Sequence, residues 1–567
     1  MRGVRIDDYV RSKKILLDVS LNEGSIESVE PSSTMEWFAL SKFLREKVRK
    51  HQNDPDKLRF YVPHAVNAFL MSNNPYMAGR LVEFLAMTSC RFGRYDVFEE
   101  SLDLVKKLPE PIRRDLEYSL TRMLFHWDPE EGLREMDRLL SLGPPKSIDL
   151  LQVFEIILGM LADRYGGYLV RFLDIVRGHY EELYFELLGE AVMEERLRGY
   201  LDHRIVEDVI SNAPPVHKLL FLRGTLKRGM SKDIVSSIMP EIIKMEDPQL
   251  LKLLARILIT SIREEMLDDE VMGYIESLIR ELYAHGLYYE VTNLASRYAT
   301  SLIGKDQARS LVFLDVSINT CYAMGDPLSI PLIYGDYLSS LLQKGLPDIA
   351  RKVLGRIYSE DKIVGLRNIH IWLPVYRSIK SEDDLRAFRK IADQITSLLD
   401  HGGRKIVSGF LALARLKFSG RGERTILQEI IDLGLAYFIV RAIGILGNIG
   451  RLDDILWTVD NSIKALRSVR DIGEVLYAAG VTLADNGEYG KIEVLLDMIR
   501  RSYVGEYHDI VGGILMELAT YIIDSNEDIG CRLLVEAHKR FEKSGMYWMS
   551  LNALAIYAAH RPLAGIV

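Results

Sequence analysis

The chain is poor in cysteine, in long apolar runs and in catalytic signatures. Its 567 residues include three cysteines, Cys90, Cys321 and Cys531, far apart and odd in number. That spacing suits neither a disulfide framework nor a zinc site, and it fits a reducing cytoplasm. Each thiol is expected as a small buried residue. No uninterrupted apolar stretch reaches the roughly 18 residues of a membrane span, so no membrane partner is expected. The richest segments, 435–446 and 510–523, read as core helices, and Glu517 interrupts the second. The first residues mix Arg2, Arg5, Arg11, Lys13 and Lys14 with Asp7 and Asp8, and no long apolar region follows. A secretory leader is therefore not expected, and the expected location is cytoplasmic.

Signatures of chemistry are equally scarce. The sequence has no Gly-x-x-x-x-Gly-Lys-Ser/Thr phosphate loop, no His-Glu-x-x-His pair and no Gly-x-Ser-x-Gly elbow. Its 12 histidines are dispersed. Gly402-Gly403-Arg404-Lys405 precedes a helix and could meet an anion at its N-terminus, but no strand precedes it and it reads as an inter-helix turn. The glycine-rich basic run Ser419-Gly420-Arg421-Gly422-Glu423-Arg424 reads the same way. Glu194-Glu195, Glu264-Glu265 and Asp268-Asp269-Glu270 are carboxylate clusters expected on solvated faces or at a helix start, where the dipole favours negative charge. The expectation is a non-enzymatic protein with no catalytic, cofactor or metal residues.

Charge is present but unevenly spread. The net charge is -8, and residues 101–300 hold 34 acidic against 25 basic residues, a net of -9. Nucleic acid is thus not expected as the main partner, because no section is strongly basic. The acidic middle is a solvated outer surface or a dock for a basic partner.

Helical periodicity runs almost end to end. In 294–303 and 492–499 apolar residues recur at three and four positions, the spacing of one helix face. Segments of about 14–20 residues end at Gly, Asp-Pro or Asn-Glu breaks. Examples are Phe92-Gly93-Arg94-Tyr95, His285-Gly286-Leu287-Tyr288, Ile449-Gly450-Arg451-Leu452 and Asn486-Gly487-Glu488-Tyr489. From Gly345 onward the related breaks step by about 36 residues, one helical hairpin each. Around 305–345 the alternation of first and second helices slips, as diverged hairpins or an irregular insertion near Gly325-Asp326-Pro327 would make it.

The pattern resembles the tetratricopeptide-like helical-repeat superfamily. The matching residues are Gly480, Leu483, Gly487-Glu488-Tyr489 and Leu496, and again Val82, Ala86, Gly93-Arg94-Tyr95 and Leu102. Phe98, Ile455 and Ile492 depart from it where the family usually has Ala, and Leu338 and Ile443 where it has a small residue. The resemblance implies an all-α fold: an α-solenoid of stacked antiparallel hairpins in a right-handed superhelix. It also implies that the small residue of each first helix lets the second pack close. Three regions are expected: a helical cap over 1–60, an acidic irregular repeat region over 61–344, and a more regular repeat region over 345–567.

Carried onto this chain, the family's groove register selects Phe410 and Ala414; Tyr437, Val440, Gly444 and Gly447; Tyr477, Val481 and Ala484; Met516, Thr520 and Ile523. This face is apolar and rich in small residues. Either neighbouring helices or the chain end, including Trp548 and Tyr557, fill it, or it receives an apolar helix or peptide of another protein. The functional expectation is a protein-binding scaffold, with self-association as a further outcome. The alternatives are an enzyme or small-ligand receptor with a pocket inside the superhelix, and a regulator docking nucleic acid through Lys464, Arg467, Arg470, Arg500 and Arg501.

Overall fold

The computed structural model describes residues 5–229, 231–360, 363–419, 424–564 and 566. The glycine-rich run at 420–423 lies outside them. Among the described residues there is no strand. The first helices are α1 (Ile6–Leu21), α2 (Thr34–Lys50), α3 (Pro55–Met71), α4 (Pro75–Phe92), α5 (Tyr95–Val105) and α6 (Ile112–Trp127). There follow α7 (Pro129–Ser141), α8 (Leu150–Met160), α9 (Leu169–His179), α10 (Glu181–Met193), α11 (Glu195–Arg198) and α12 (His203–Asn212). Next come α13 (Pro215–Arg228), α14 (Lys232–Lys244), α15 (Pro248–Ser261), α16 (Asp269–Ala284), α17 (Tyr288–Leu302) and α18 (Gln307–Met324). Then α19 (Ile330–Gln343), α20 (Pro347–Glu360), α21 (Asn368–Arg377), α22 (Glu382–Ile395) and α23 (His401–Ser419). The chain ends with α24 (Arg424–Asp432), α25 (Ala436–Asn448), α26 (Leu452–Ala465), α27 (Val469–Asp485), α28 (Tyr489–Arg501), α29 (His508–Ile522), α30 (Glu527–Lys543) and α31 (Tyr547–His560).

Local chemistry sets these boundaries. Ser33, Asp54, Asn74, Asp247 and Asp268 each accept a backbone N–H of the helix they precede, satisfying a donor that has no intrahelical partner. Pro55, Pro75, Pro129 and Pro248 stand in first turns, where a missing N–H costs nothing. At the other ends Gly93, Gly450 and Gly487 take φ of 67°, 72° and 72°, which a side chain resists.

The chain divides into two compact units, one of residues 1–127, 145–148 and 415–567, the other of 128–144 and 149–414. Each is an all-α stack of helical hairpins. In the second unit, α13, α15, α17, α19 and α21 pack side by side as one layer. Their hairpin partners α14, α16, α18 and α20 stand behind them. The first-helix row thus continues from α17 through α19 to α21, across the stretch 305–345 where a slip was expected. Glycine turns occur at both kinds of junction: Gly286 leads into the layer of α17 and Gly345 leads out of the layer of α19. A glycine marks a helix end without saying which helix of a pair it ends.

In the first unit, α25, α27 and α29 form the equivalent layer, with α24, α26 and α28 behind. The chain's two ends meet here. The last helix, α31, packs on α1 and α2, and residues from Tyr9 to Leu124 share one apolar core with Leu551 to Leu563. Each large side chain buried in it contributes about 1.5–3 kcal/mol. Trp548 stands edge-on to Phe38 at 4.9 Å, and Tyr557 packs on this same core. The stack also carries its period in polar contacts. Ser119 reaches Glu83, Tyr521 reaches Asp485, Asn552 reaches Met516 and Arg500 reaches Glu536, each pair 36 residues apart. A tie repeated at one interval is what identical neighbour-on-neighbour packing produces.

Candidate functional site: the open faces of the first-helix layer

The residues expected to line a groove fall into two environments. Phe410 and Ala414 belong to the second unit and are fully buried, with the Phe410 ring 5.2 Å from that of Tyr376. Tyr437, Val440, Tyr477, Val481, Met516 and Thr520 belong to the first unit, and every one is half-buried. They lie on α25, α27 and α29, one face of one layer. Around them the face carries polar groups: Arg441 sits over the Tyr437 ring at 5.4 Å, and the Tyr521 hydroxyl donates to Asp485 at 2.6 Å. The small residues work differently from the family's pattern. A Cβ on Gly480 would meet Leu518 of the next layer helix at 2.6 Å, and one on Gly473 would meet Ile514 at 2.9 Å. These glycines bring α27 against α29 rather than against α28.

A second open face lies in the other unit, between α17 and α19. A groove of about 590 Å³ runs there, lined by Tyr289, Asn293, Ser296, Arg297 and Thr300 of α17 and by Leu332, Asp336, Ser339 and Ser340 of α19. The spacings 289-293-296-300 and 332-336-339 put each set on one helix face. Met324, Asp326 and Ser329 close one end. Asp326 is anchored there, accepting the Leu328 N–H at 3.2 Å and the Ser329 hydroxyl at 2.6 Å. Asp336 stands at the exposed rim, yet the surrounding protein raises its carboxyl above the ordinary range by desolvation, against the opposing fields of His370 and Arg297. Sequence reasoning missed this groove. Its signal was a polar face on α17 and another on α19, and in one dimension that pattern is indistinguishable from a solvated surface.

A third cluster tests metal binding. Carboxylate oxygens of Glu155, Glu186 and Glu190 lie within 4.8 Å of one another. Glu186 and Glu190 are almost fully buried because α10 and α13 cross at Gly189 and Gly224. A Cβ on Gly224 would overlap the Glu186 carbonyl, and one on Gly189 would overlap that of Phe221. Three cations face the three carboxylates. Lys227 Nζ sits 2.5 Å from Glu155 and 2.6 Å from Glu186, Arg228 sits 3.1 Å from Glu190, and Arg223 pairs with Glu186. Burial raises the Glu190 carboxyl, and the Glu155 charge adds to this. The Lys227 ammonium fills the place a metal ion would take, so this is a closed ion-pair network.

A fourth cluster has the parts of a nucleophile triad. Ser550 Oγ lies 2.7 Å from His538 Nδ1, and His538 Nε2 lies 3.5 Å from Glu542. Ser550 and His538 are buried, and the Ser550 hydroxyl is shared with Tyr9 at 2.7 Å. Tyr9 also donates to Glu542 at 2.7 Å, and Lys13 pairs with Glu542 at 3.3 Å. The arrangement fastens α1 to α30 and α31 and leaves a substrate no approach.

The remaining expectations resolve simply. Gly402 and Gly403 begin α23, but the Gly403 N–H already donates to Asp400 at 2.8 Å, and the Gly365 N–H donates to the same carboxylate at 2.9 Å. Asp268 caps α16, as its cluster suggested. The basic stripe is broken. α26 ends at Ala465 and α27 starts at Val469, so Lys464, Arg467 and Arg470 do not share a helix. Lys464 pairs with Asp460, and Arg500 pairs with Asp497 and Glu536. Cys321 and Cys531 are buried and Cys90 is half-buried; burial pushes the Cys531 thiol up to about 11. No helix of the described residues is long and apolar enough to cross a membrane.

The fold defines the class: an all-α helical-repeat protein, a solenoid of stacked antiparallel hairpins. No family model matches the chain, and no curated protein matches it. Among solved structures it is similar to a "Circular tandem repeat protein with novel repeat topology and enhanced subunit contact surfaces", at 12% identity and a TM-score of 0.13 over 90% of this chain and 98% of that one. At that level of likeness no property is carried over.

Proposed function

We propose that the chain is a scaffold that holds another protein on the open faces of its first-helix layer, and that its hairpins are diverged tetratricopeptide-like repeats working in the cytoplasm. On this reading the cap over 1–60, the acidic region over 61–344 and the regular region over 345–567 differ in repeat regularity. One observation carries the reading. Tyr437, Val440, Tyr477, Val481, Met516 and Thr520 are half-buried, neither sealed by neighbouring helices nor fully solvated. Aromatic and aliphatic groups left in this state on one face supply the core of an interface. Tyr557, which could have filled the face, packs on the N-terminal core, and Trp548 stands against Phe38 while 39% exposed.

The test places a photo-reactive phenylalanine analogue at Val481 or at Val494, an exposed apolar residue on α28 behind the layer. Irradiation in cells should give a discrete protein adduct from position 481, and Met516→Glu should abolish it. The same adducts from position 494, or none from 481, would reject the scaffold reading of this face. An adduct of the chain with itself would identify the partner as a second copy.

A further inference from the structure

We infer that the α17–α19 groove holds an extended, basic peptide segment of a partner protein, with a lysine or arginine on Asp336. This rests on the scaffold reading and names the chemistry of one of its faces.

The argument begins with what the groove offers. The Thr300 hydroxyl donates to the Arg297 carbonyl at 2.8 Å, and the Ser340 hydroxyl donates to the Asp336 carbonyl at 3.0 Å. Their protons are committed to their own helix, so each presents lone pairs to the groove. The Asn293 amide nitrogen donates to the Tyr289 carbonyl at 2.8 Å, which leaves its oxygen for the groove. Ser339 accepts from Gln343 at 3.3 Å. Asp326 and Asp336 add carboxylates. The one cation in the lining, Arg297, already donates to the Ile262 carbonyl at 3.3 Å. Ser339 and Arg297 keep donors of their own, but acceptors predominate along the groove, and its complement is rich in donors: backbone N–H groups with a guanidinium or ammonium among them.

Asp336 supplies the anchor. No hydrogen bond or ion pair among the described residues reaches its carboxylate. The cost of holding this charge in the groove wall is visible in its raised carboxyl. A cation beside it would reverse that penalty. The wider field agrees, since residues 101–300, which include α17, carry a net of -9.

Length favours a peptide over a small polycation. From Tyr289 to Thr300 the α17 face extends about 16 Å, which an extended chain covers with about five residues. Acceptors lie along this whole length, whereas the carboxylates are confined to two points. A polyamine would match the two points and leave the intervening hydroxyls and amide unused.

The experiment measures anisotropy of the full-length protein with a positional-scanning set of labelled, acetylated and amidated pentapeptides. Peptides with Lys or Arg at one position should bind about tenfold tighter than those with norleucine there. Asp336→Asn should erase that preference while leaving the thermal transition in place, and Ser340→Ala should weaken binding severalfold. Affinity should fall with salt. The inference is overturned if no pentapeptide binds, if norleucine or Glu serves as well as Lys, or if spermidine binds as tightly with the same dependence on Asp336. Cross-linking from Val481 is read separately. If it persists while the pentapeptides fail, this inference falls and the scaffold reading stands.

Discussion

In the layer of α25, α27 and α29, three glycines face a side chain of the next helix: Gly447 faces Thr482, Gly473 faces Ile514 and Gly480 faces Leu518. Between α17 and α19 there is no such glycine. The one on α19, Gly335, faces the His370 backbone of α21 instead. Both belong to the same kind of layer, yet α27 packs directly on its neighbours while α17 and α19 leave a groove between them. Helices approach where the facing residue has no Cβ to keep them apart, and they stay separated where hydroxyls and charges keep their water. The open face is thus a consequence of residue size and polarity on facing turns, within an otherwise uniform stack.

The closest approach should break most severely. Gly224 meets the Glu186 carbonyl, a backbone atom that cannot rotate away. Gly224→Val would force α10 from α13 and strip the Glu186 and Glu190 carboxylates of their alignment with Arg223, Lys227 and Arg228. A loss of about 4 kcal/mol is expected, at the upper end for overpacking combined with a broken buried ion-pair network. Urea unfolding followed by helical signal measures it. An unchanged midpoint would mean that glycine is not what closes the crossing.

The joint between the chain ends is polar like the groove but dry, and pH separates the two. Burial lowers the His538 pKa from 6.5 to about 4, against the pull of Glu542 and with the help of Lys13 and Lys539. The folded state therefore refuses a proton that the unfolded chain accepts. Stability from this group is complete above about pH 6.5 and is lost as pH falls from there towards 4. The expected loss is up to about 3 kcal/mol. His538→Gln, which can still meet Ser550, should flatten that part of the stability profile. A slope unchanged by the substitution would place the acid sensitivity elsewhere.

How far these features could be read from sequence follows the same division. Gly93, Gly450 and Gly487 announce helix ends because a positive φ requires them, and with the apolar spacing they disclose the hairpins and their period. Gly224 carries no such mark, since a glycine inside a helix reads as a weakness until its neighbour is known, and Gly480 is marked only by the family pattern, which sets it against α28 rather than α29. The contact of Tyr9 with Glu542 spans 533 residues, beyond any local pattern. Phe410 matches the register of Tyr437 and Tyr477 but is fully buried, with the Tyr376 ring packed against it. Six of the seven residues singled out as partner-binding are half-buried on one layer, and it was the family's groove register that placed them together. The α17–α19 groove stayed hidden because Asn293, Ser296 and Thr300 spell an ordinary solvated turn of helix.

A milder change sharpens the contrast. Gly480→Ala places a methyl group against the ends of the Leu518 side chain, which can move by a rotamer. The overpacking cost is partly offset by alanine's better helix propensity, about 1 kcal/mol. The net destabilisation should be about 1 kcal/mol, and Leu518→Val in the same chain should recover most of it. Failure of that rescue would mean that Gly480 acts through its backbone rather than through the space it leaves.

The smallest effect belongs to the groove. Asp336→Asn and Ser339→Ala remove groups that no neighbouring helix needs, and each should shift stability by no more than about 0.5 kcal/mol. For Asp336 the sign should be neutral to slightly stabilising, because its raised carboxyl shows that the folded protein holds the charge at a cost. Thermal unfolding of both variants at neutral pH measures this. A loss comparable to that of Gly224→Val would make these side chains struts holding α17 and α19 apart. Stability near that of the parent, combined with a change in peptide affinity, would assign their polarity to whatever the groove receives.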